Sequence, residues 1–341
     1  MSLMIKSWLA ILFWAQISIG TSAIPRIRAV ENRKQCYRTQ ALVGWGRHGT
    51  VHRAVPSTQP GTIVAVKKVK LPTGSSSKPE VDFLQAFSQT SSYCGVPRLF
   101  DLIRSGNSLY MVEQYFEGKP LHYIGDSFER ANIEDWENRV MRLLYKVTTI
   151  VNLIHEAKYV HGDVKPGNIL YDDHDNVMVV DFGSCRKIYP WSMTRLENLP
   201  EQREIADTCC FVPPEKHRGL IGYSSDIYSL GKTARWLPGL LRRLHRRVTG
   251  SSVFDEVPRL REFIGLTVKE SHSERPTAED LLRHPVFNKE RLEYGISAAS
   301  DQLPPFELSW PSWRSGLQNI SPTGVRASSK SAVDGEFWGG W

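Results

Sequence analysis

A stripe of apolar residues that begins at Ile133 limits the folds open to this chain. Its members recur at the spacing of a helix that is buried along one face. They are Ile133, Trp136, Val140, Leu143, Leu144, Val147, Ile150, Val151 and Ile154. Upstream of this helix, short β-branched runs separated by Gly and Pro between Gln40 and Leu71 predict a small antiparallel sheet. A β-rich first part followed by a helical second part predicts two lobes.

The rest of the chain extends the same division. A helical run at 81–88 and strand-like runs at 99–103 and 108–115 complete the first lobe, and further helices are expected at 225–236, 257–267 and 277–282. We therefore predict an α+β, bilobal fold. Its β-rich N-lobe covers about 40–115 and its larger helical C-lobe about 116–287, and an irregular tail rich in Ser, Pro, Gly and Trp covers 293–341.

The first 23 residues have the composition of a secretory signal peptide. Lys6 precedes an apolar run of about thirteen residues, and Thr21-Ser22-Ala23 forms a small-residue cleavage site. The run is shorter than the roughly 20 residues of a membrane-spanning helix, so no stable membrane span is expected. The chain is therefore expected to be secreted or to enter the secretory pathway. If the segment is instead an apolar extension that lies on the fold, the protein would be cytoplasmic.

The charge and cysteine content do not indicate nucleic-acid binding, a zinc site or a disulfide-rich fold. The chain has 43 Lys and Arg against 36 Asp and Glu, a net charge of +7 that is spread along the sequence and does not indicate a nucleic-acid partner. Five cysteines, an odd number without CxxC spacing, indicate neither a zinc site nor a dense disulfide framework.

A glycine-rich segment provides the first sign of phosphate chemistry. Gly44, Gly46, Gly49 and Val51 form the pattern GxGxxGxV, in which glycines let the backbone close over phosphates. The same glycines also open dinucleotide-binding folds, where a helix follows them directly. Here a strand-like run that ends in Ala65-Val66-Lys67 follows instead, which favours a nucleotide-covering hairpin.

A lysine and an acid follow the glycines at useful positions. Lys67 could place an ammonium group on the α- and β-phosphates of a nucleotide, and Glu80, at the start of the next helical run, could hold it by an ion pair. The alternative for Glu80 is an ordinary solvated acid.

A second group of polar residues lies in the segments HGDVKPGN and VVDFG. Phosphoryl transfer requires a group that orients the attacking hydroxyl and oxygen ligands that hold Mg²⁺ between phosphates. Asp163 fits the first role, and Asn168 and Asp181 fit the second. Lys165 could neutralise charge on the transferred group.

Together these motifs, from Gln40 to about Phe287, resemble the eukaryotic protein kinase domain. The order continues downstream with Thr208, Glu215 in PPE, Asp226 in DIYSLG, and Arg275 in RPT. The resemblance implies ATP and Mg²⁺ as cofactors, and Thr208 as a residue that contacts the catalytic acid Asp163. It also implies that Asp226 holds the catalytic loop and that Arg275 pairs with Glu215. The residues that it places around the nucleotide, besides the glycines and Lys67, are Val51, Ala65, Glu80, Glu113, Tyr115 and Leu170.

Three departures from the family pattern affect the interpretation. Gly162 stands where the family usually has the arginine that receives an activation-loop phosphate, Pro213 replaces the alanine of Ala-Pro-Glu, and Glu113 occupies a position at the back of the adenine pocket that is usually apolar or Thr. A carboxylate at 113 either pairs inward or alters nucleotide fit, and the sequence leaves both open.

Two other functions compete with that of a protein kinase. Aminoglycoside and choline kinases have a similar His-Gly-Asp loop. The resemblance does not lead us to expect Lys165, Thr208, Pro-Pro-Glu and Arg-Pro-Thr in those kinases, and this chain has all four. A pseudokinase would typically lose Lys67, Asp163 or Asp181, and none is lost. Lys165 together with Thr208 resembles the Ser/Thr-directed branch, so protein substrates with Ser or Thr acceptors are expected. The oligomeric state is left open.

Overall fold

The computed structural model describes residues 29–31, 35–46, 48–71, 79–88, 95–127, 132–188, 193–195, 210–237 and 255–294. The predicted signal peptide, Thr208 and the tail beyond residue 294 lie outside these described residues. The predicted α+β, two-lobed architecture is confirmed.

The N-lobe is built on a six-stranded antiparallel sheet with the order β1-β2-β3-β4-β6-β5. The strands are β1 Ala29–Glu31, β2 Cys36–Gly46, β3 Gly49–Pro56, β4 Val64–Lys70, β5 Leu99–Ser105 and β6 Ser108–Gln114. The β-branched run of β4 is almost fully buried, and the strand is central in the sheet, with β3 on one side and β6 on the other. The first hairpins therefore form where the sequence predicted them, and the sheet begins upstream of residue 40.

The helix α1, Pro79–Ser88, connects the N-lobe to the core of the C-lobe. Pro79 starts the helix, and Glu80 and Asp82 lie in its first turn, where negative charge is favourable. Glu80 and Leu84 share a buried face, and Phe83 belongs to the large hydrophobic core of the C-lobe. A single helix thus packs against both parts of the molecule.

The C-lobe is mainly helical within the described residues. Its helices are α2 Ile133–Glu156, α3 Tyr223–Trp236, α4 Pro258–Thr267, α5 Ala278–Arg283 and α6 Asn288–Glu293. The predicted stripe of α2 is fully buried except for Ile133, which is half-buried. Asn132 caps α2 by accepting a hydrogen bond from the Asp135 amide at 2.8 Å. Among the described residues, none of the helices combines the length and apolar character needed to cross a membrane.

Short strands accompany these helices, one before α2 and the others between α2 and α3. They are β7 Lys119–Pro120, β8 Tyr159–Val160, β9 Ile169–Tyr171, β10 Val177–Val179, β11 Arg186–Lys187, β12 Thr194–Arg195 and β13 Leu220–Ile221. Strands β10, β9 and β7 form one small sheet, β11 pairs with β8, and β12 pairs with β13. The segments between them carry Asp163, Asn168 and Asp181.

A buried ion pair fixes the centre of the C-lobe. The two terminal nitrogens of Arg275 donate to the two carboxylate oxygens of Glu215 at 2.7 and 2.9 Å, and Ser225 Oγ donates to Glu215 Oε1 at 2.8 Å. Burial alone would raise the pKa of Glu215, but the hydrogen bonds from Arg275 outweigh it and lower the pKa. The pair connects the turn Pro214–Arg218 to the loop that precedes α5.

Replacing Arg275 by Met should lower the free energy of unfolding by about 3–5 kcal/mol, because it leaves the Glu215 carboxylate buried without its cation. Chemical denaturation followed by circular dichroism measures this loss. The matched control is Arg283→Met, which breaks an exposed i,i+4 pair with Glu279 and should cost less than about 0.5 kcal/mol. Similar losses in both variants would contradict the anchoring role of Arg275.

Candidate active site

A buried ammonium group lies where the two lobes meet. Lys67 on β4 donates to Glu80 Oε1 of α1 at 2.5 Å and to Asp181 Oδ1 of the C-lobe at 2.7 Å. Lys67 is buried, and Glu80 is only 2% exposed, so the alternative of a solvated acid at position 80 is wrong. One cation therefore joins a strand, a helix and a loop from both lobes.

Electrostatics keep Lys67 and Asp181 ionised. Burial alone would lower the pKa of Lys67, but the charges of Glu80 and Asp181 outweigh it and raise the pKa. Burial would likewise raise the pKa of Asp181, yet the charge of Lys67 and a hydrogen bond with His48 hold it well below its usual value. The carboxylate and the ammonium are thus both charged across the physiological range.

The glycine-rich segment forms the turn of the β2–β3 hairpin. Gly46 pairs with Gly49, and Gly44 pairs with Val51, so the segment forms a hairpin, as the sequence predicted. Gly49 has φ +135°, and a Cβ at this position would lie 2.0 Å from the Lys68 carbonyl oxygen. Only glycine fits this approach, which leaves backbone rather than side chain at the turn.

The inner face of the sheet gathers the residues predicted to surround a nucleotide. Val51 lies opposite Lys67, and Ala65 lies opposite Glu113, which places all four on one face because directly paired residues point to the same side. Tyr115 follows β6 at the connection between the lobes.

Tyr115 and Leu170, also predicted to lie around the nucleotide, each lie close to residues of other segments. The Arg53 guanidinium lies 5.9 Å from the centre of the Tyr115 ring. Leu170 lies on β9, half-buried, opposite Met178 of β10 and Pro120 of β7.

The catalytic loop, residues 161–168, brings three predicted polar residues together. Lys165 Nζ donates to Asp163 Oδ2 at 2.7 Å. Asn168 Nδ2 donates to the Asp163 carbonyl at 2.9 Å and to Asp163 Oδ2 at 3.1 Å. Because Asn168 uses its amide nitrogen for both bonds, its side-chain carbonyl oxygen is left for a ligand. Asp163 is only partly buried, so a hydroxyl group can approach it.

The donor set suits a nucleotide with magnesium. Asp181 contributes carboxylate oxygen and Asn168 amide oxygen, the hard ligands that Mg²⁺ prefers. Asp181 has a left-handed backbone with φ +65°, which is uncommon outside glycine and is found at functional sites. Together with the close backbone approach at Gly49, these residues fit MgATP.

A buried carboxylate, that of Asp226, anchors the backbone of the catalytic loop. Asp226 of α3 accepts hydrogen bonds from the amides of His161 and Gly162, each at 2.8 Å, and lies 3.0 Å from His155 Nε2. Burial would raise the pKa of Asp226, but hydrogen bonding to His155 and the charges of both histidines lower it. The backbone that leads into Asp163 is therefore attached to the core.

Aromatic rings connect α1 to the same loop. Phe83 stacks on Phe182 with ring centres 4.5 Å apart, and Phe182 lies 4.8 Å from the His161 ring. Phe83 also meets the edge of Tyr159 at 5.1 Å. The position of α1 is thus coupled to the residues on both sides of the site.

His48 is a site residue that the sequence did not predict. Its Nδ1 lies 3.0 Å from Asp181 Oδ1, although the two residues are far apart in sequence. A Cβ on Gly183 would lie 2.1 Å from His48 Nδ1, so the absence of a side chain at 183 permits this contact. The only sequence signal was the position of His48 between two glycines of the hairpin turn.

Glu113 is buried in the same face without full pairing. It is 9% exposed, and its Oε1 has no hydrogen-bond partner. Burial raises the pKa of Glu113 to about 8, although the charge of Lys67 opposes the rise; Glu80 and Asp181 add to it. Near neutral pH the side chain is therefore mostly a neutral carboxylic acid.

Comparison with known proteins agrees with this arrangement. The family model described as "Protein kinase domain" matches residues 37–237, more than half of the chain. Serine/threonine-protein kinase B of Synechocystis is 26% identical over 325 residues, which is 87% of this chain and 53% of that protein. Sperm motility kinase Z of Mus musculus is 28% identical over 262 residues, or 70% of this chain and 48% of that protein. The kinase dst4 of Dictyostelium discoideum is 26% identical over 298 residues, or 81% and 59%.

The chain spans about half the length of the first two of these relatives. The residues that the family model matches, 37–237, include the site.

Replacing Glu113 by Gln should remove a pH-dependent loss of stability. The pKa of Glu113 is about 8 in the folded state, above the ordinary value of 4.5. The stabilisation that protonated Glu113 contributes to the folded state is therefore complete below pH 4.5 and is lost as pH rises through 8. Between pH 6 and pH 9 the native protein should lose about 3 kcal/mol of unfolding free energy relative to the variant. Denaturation curves of both proteins at each pH measure the difference.

Glu117→Gln is the matched control, since Glu117 is exposed just beyond the same strand and its replacement should leave the pH profile unchanged. Parallel profiles for the native protein and Glu113→Gln would show that Glu113 is ionised in the folded state.

Proposed function

This chain belongs to the protein kinase family, and from that membership we propose that it transfers the γ-phosphate of ATP to serine or threonine hydroxyls of protein substrates. The observation that carries the proposal is a pair of hydrogen-bonded polar clusters, one formed by Asp163, Lys165 and Asn168 and the other by Lys67, Glu80 and Asp181. The Val180 amide, next to Asp181, donates to the Asn168 carbonyl at 2.9 Å and connects the two clusters. Relatives that are named serine/threonine-protein kinases support the choice of acceptor.

Each residue has a proposed role in this reaction, which its contacts support. Asp163 orients the acceptor hydroxyl and accepts its proton, and Lys165, which already contacts its carboxylate, stands beside the transferred group. Lys67, fixed by Glu80, positions the α- and β-phosphates. Magnesium, when bound, supplies positive charge between the phosphates. Asn168 and Asp181 are the residues that would hold it.

The nucleotide pocket is assigned to the inner face of the N-lobe sheet. Val51, Ala65 and Tyr115 would contact the base and sugar from the N-lobe and the connection between the lobes, and Leu170 would contact them from the C-lobe. The hairpin at Gly44, Gly46 and Gly49 would cover the phosphates with backbone amides. Thr208, outside the described residues, keeps its proposed role beside Asp163.

Catalysis rather than binding alone is supported by the completeness of the polar set. Lys67, Asp163 and Asp181 all lie in charged, hydrogen-bonded positions. The Glu215–Arg275 pair, one of the features that favoured protein over small-molecule substrates, is formed in the C-lobe. We propose entry into the secretory pathway as well, on the composition of residues 1–23 alone.

Replacing Asp163 by Asn should lower phosphotransfer by about 10²- to 10⁴-fold and leave nucleotide affinity nearly unchanged, because the amide cannot accept the proton. The assay supplies γ-labelled ATP with a protein mixture, with amino sugars and with choline as separate acceptors. Asp173→Asn, the same change at an exposed turn residue, is the control and should retain full activity. Full activity of Asp163→Asn would exclude its assigned role, and label on amino sugars or choline alone would exclude protein substrates.

Removal of phosphate from the protein should leave most of its activity intact. Gly162 supplies no guanidinium group to receive a phosphate on Ser184, Ser192, Thr194 or Thr208. A phosphatase-treated sample should keep at least about half of the activity of a mock-treated sample, with mass spectrometry as the check on dephosphorylation. Loss of nearly all activity would contradict this prediction.

A further inference from the structure

The peptide groups around Gly162 are held at both ends by side chains from other elements. The Gly162 amide donates to Asp226 Oδ1 at 2.8 Å, and its carbonyl oxygen accepts a hydrogen bond from Lys216 Nζ at 2.6 Å. Asp226 was expected from the sequence, whereas Lys216 was not. Gly162 directly precedes Asp163, so these two bonds act on the backbone from which the catalytic carboxylate extends.

Gly162 needs restraint from outside. Its φ of +76° is a left-handed conformation, and a Cβ would lie 2.7 Å from the Ser184 carbonyl oxygen. Glycine adopts this conformation without strain, but it also has the largest conformational freedom to lose on ordering. Because Gly162 lies next to Asp163, a hydrogen bond that fixes the Gly162 backbone also restricts the orientation of Asp163.

Lys216 is well placed to provide that bond. It follows Glu215, whose carboxylate is paired with Arg275 and bonded to Ser225, and its own carbonyl accepts from the Gly219 amide at 3.0 Å. The backbone of Lys216 is thus anchored in the C-lobe core. Its half-buried side chain extends from this anchor to the catalytic loop.

We propose that Lys216 is a positioning residue for Asp163, acting through the Gly162 carbonyl. The inference rests on the proposed kinase function. Lys216 contributes a charge-assisted hydrogen bond that is present without any modification of the chain, in a sequence with no arginine at position 162. Together with Asp226 it sets the direction in which the Asp163 side chain leaves the backbone.

The effect should fall on turnover rather than on nucleotide binding. Lys216 contacts the loop that carries Asp163, whereas the nucleotide-facing cluster is formed by Lys67, Glu80 and Asp181. Loss of the Lys216 bond would let Asp163 sample unproductive orientations, and small misplacements of a reacting group are costly in rate.

The test compares Lys216→Met with Lys216→Arg in the full chain, by steady-state kinetics with ATP and a protein acceptor. We expect Lys216→Met to lower kcat about 10- to 100-fold with the KM for ATP unchanged within about twofold, and Lys216→Arg to recover kcat to within about fivefold of the native value. Arg218→Met, an exposed residue in the same turn, is the control and should keep native kcat. Native kcat in Lys216→Met would overturn the proposal.

A double substitution separates positioning from general stabilisation. If Lys216 acts through Asp163, adding Lys216→Met to Asp163→Asn should reduce the residual rate by less than about threefold. Equal reductions in both backgrounds would overturn the positioning role. If Lys216→Met does not fold, Lys216→Leu, which also lacks a hydrogen-bond donor, replaces it, and native kcat in that variant would overturn the proposal equally. An inactive native protein would instead refute the kinase function itself.

Discussion

The buried ammonium of Lys67 is the interaction on which the remaining geometry depends. It lies between Glu80 of α1 and Asp181 of the C-lobe, and each of the three groups would be costly to bury alone. Their joint charge is compensated only when β4, α1 and the loop at Asp181 occupy their present places. The charge balance among these three groups therefore stabilises the present relative position of the lobes.

The catalytic loop uses the same physics with a different donor set. Asp226 remains ionised in the core because backbone amides and His155 surround its carboxylate. An ionised acid attracts the amides of His161 and Gly162 more strongly than a neutral one would. Two aspartates, one partly exposed and one buried, thus have different roles. Asp181 faces the cleft with one oxygen left for a ligand, and Asp226 faces the backbone and holds the loop in shape.

Periodicity and turn chemistry were enough to predict most of the fold. The stripe of α2, the β2–β3 hairpin and the helix at Pro79–Ser88 are local patterns, so each could be found without knowledge of its neighbours. The polar site was found through the spacing and order of its motifs. Contacts between distant segments were missed, as with His48 on Asp181 and Lys216 on Gly162, because periodicity gives the face of an element and not its partner. The ionisation of Glu113 depends on burial by several elements, which the sequence of β6 does not contain.

The helix α1 contributes to two separate parts of the site. Glu80 holds the nucleotide-facing lysine, and Phe83, one turn further along, stacks on Phe182 next to His161. Any binding partner that favours the present position of α1 would therefore favour nucleotide binding and an ordered catalytic loop at once. Thermodynamic linkage makes the effect mutual, because a nucleotide that stabilises this position must increase the affinity of the same partner by an equal factor.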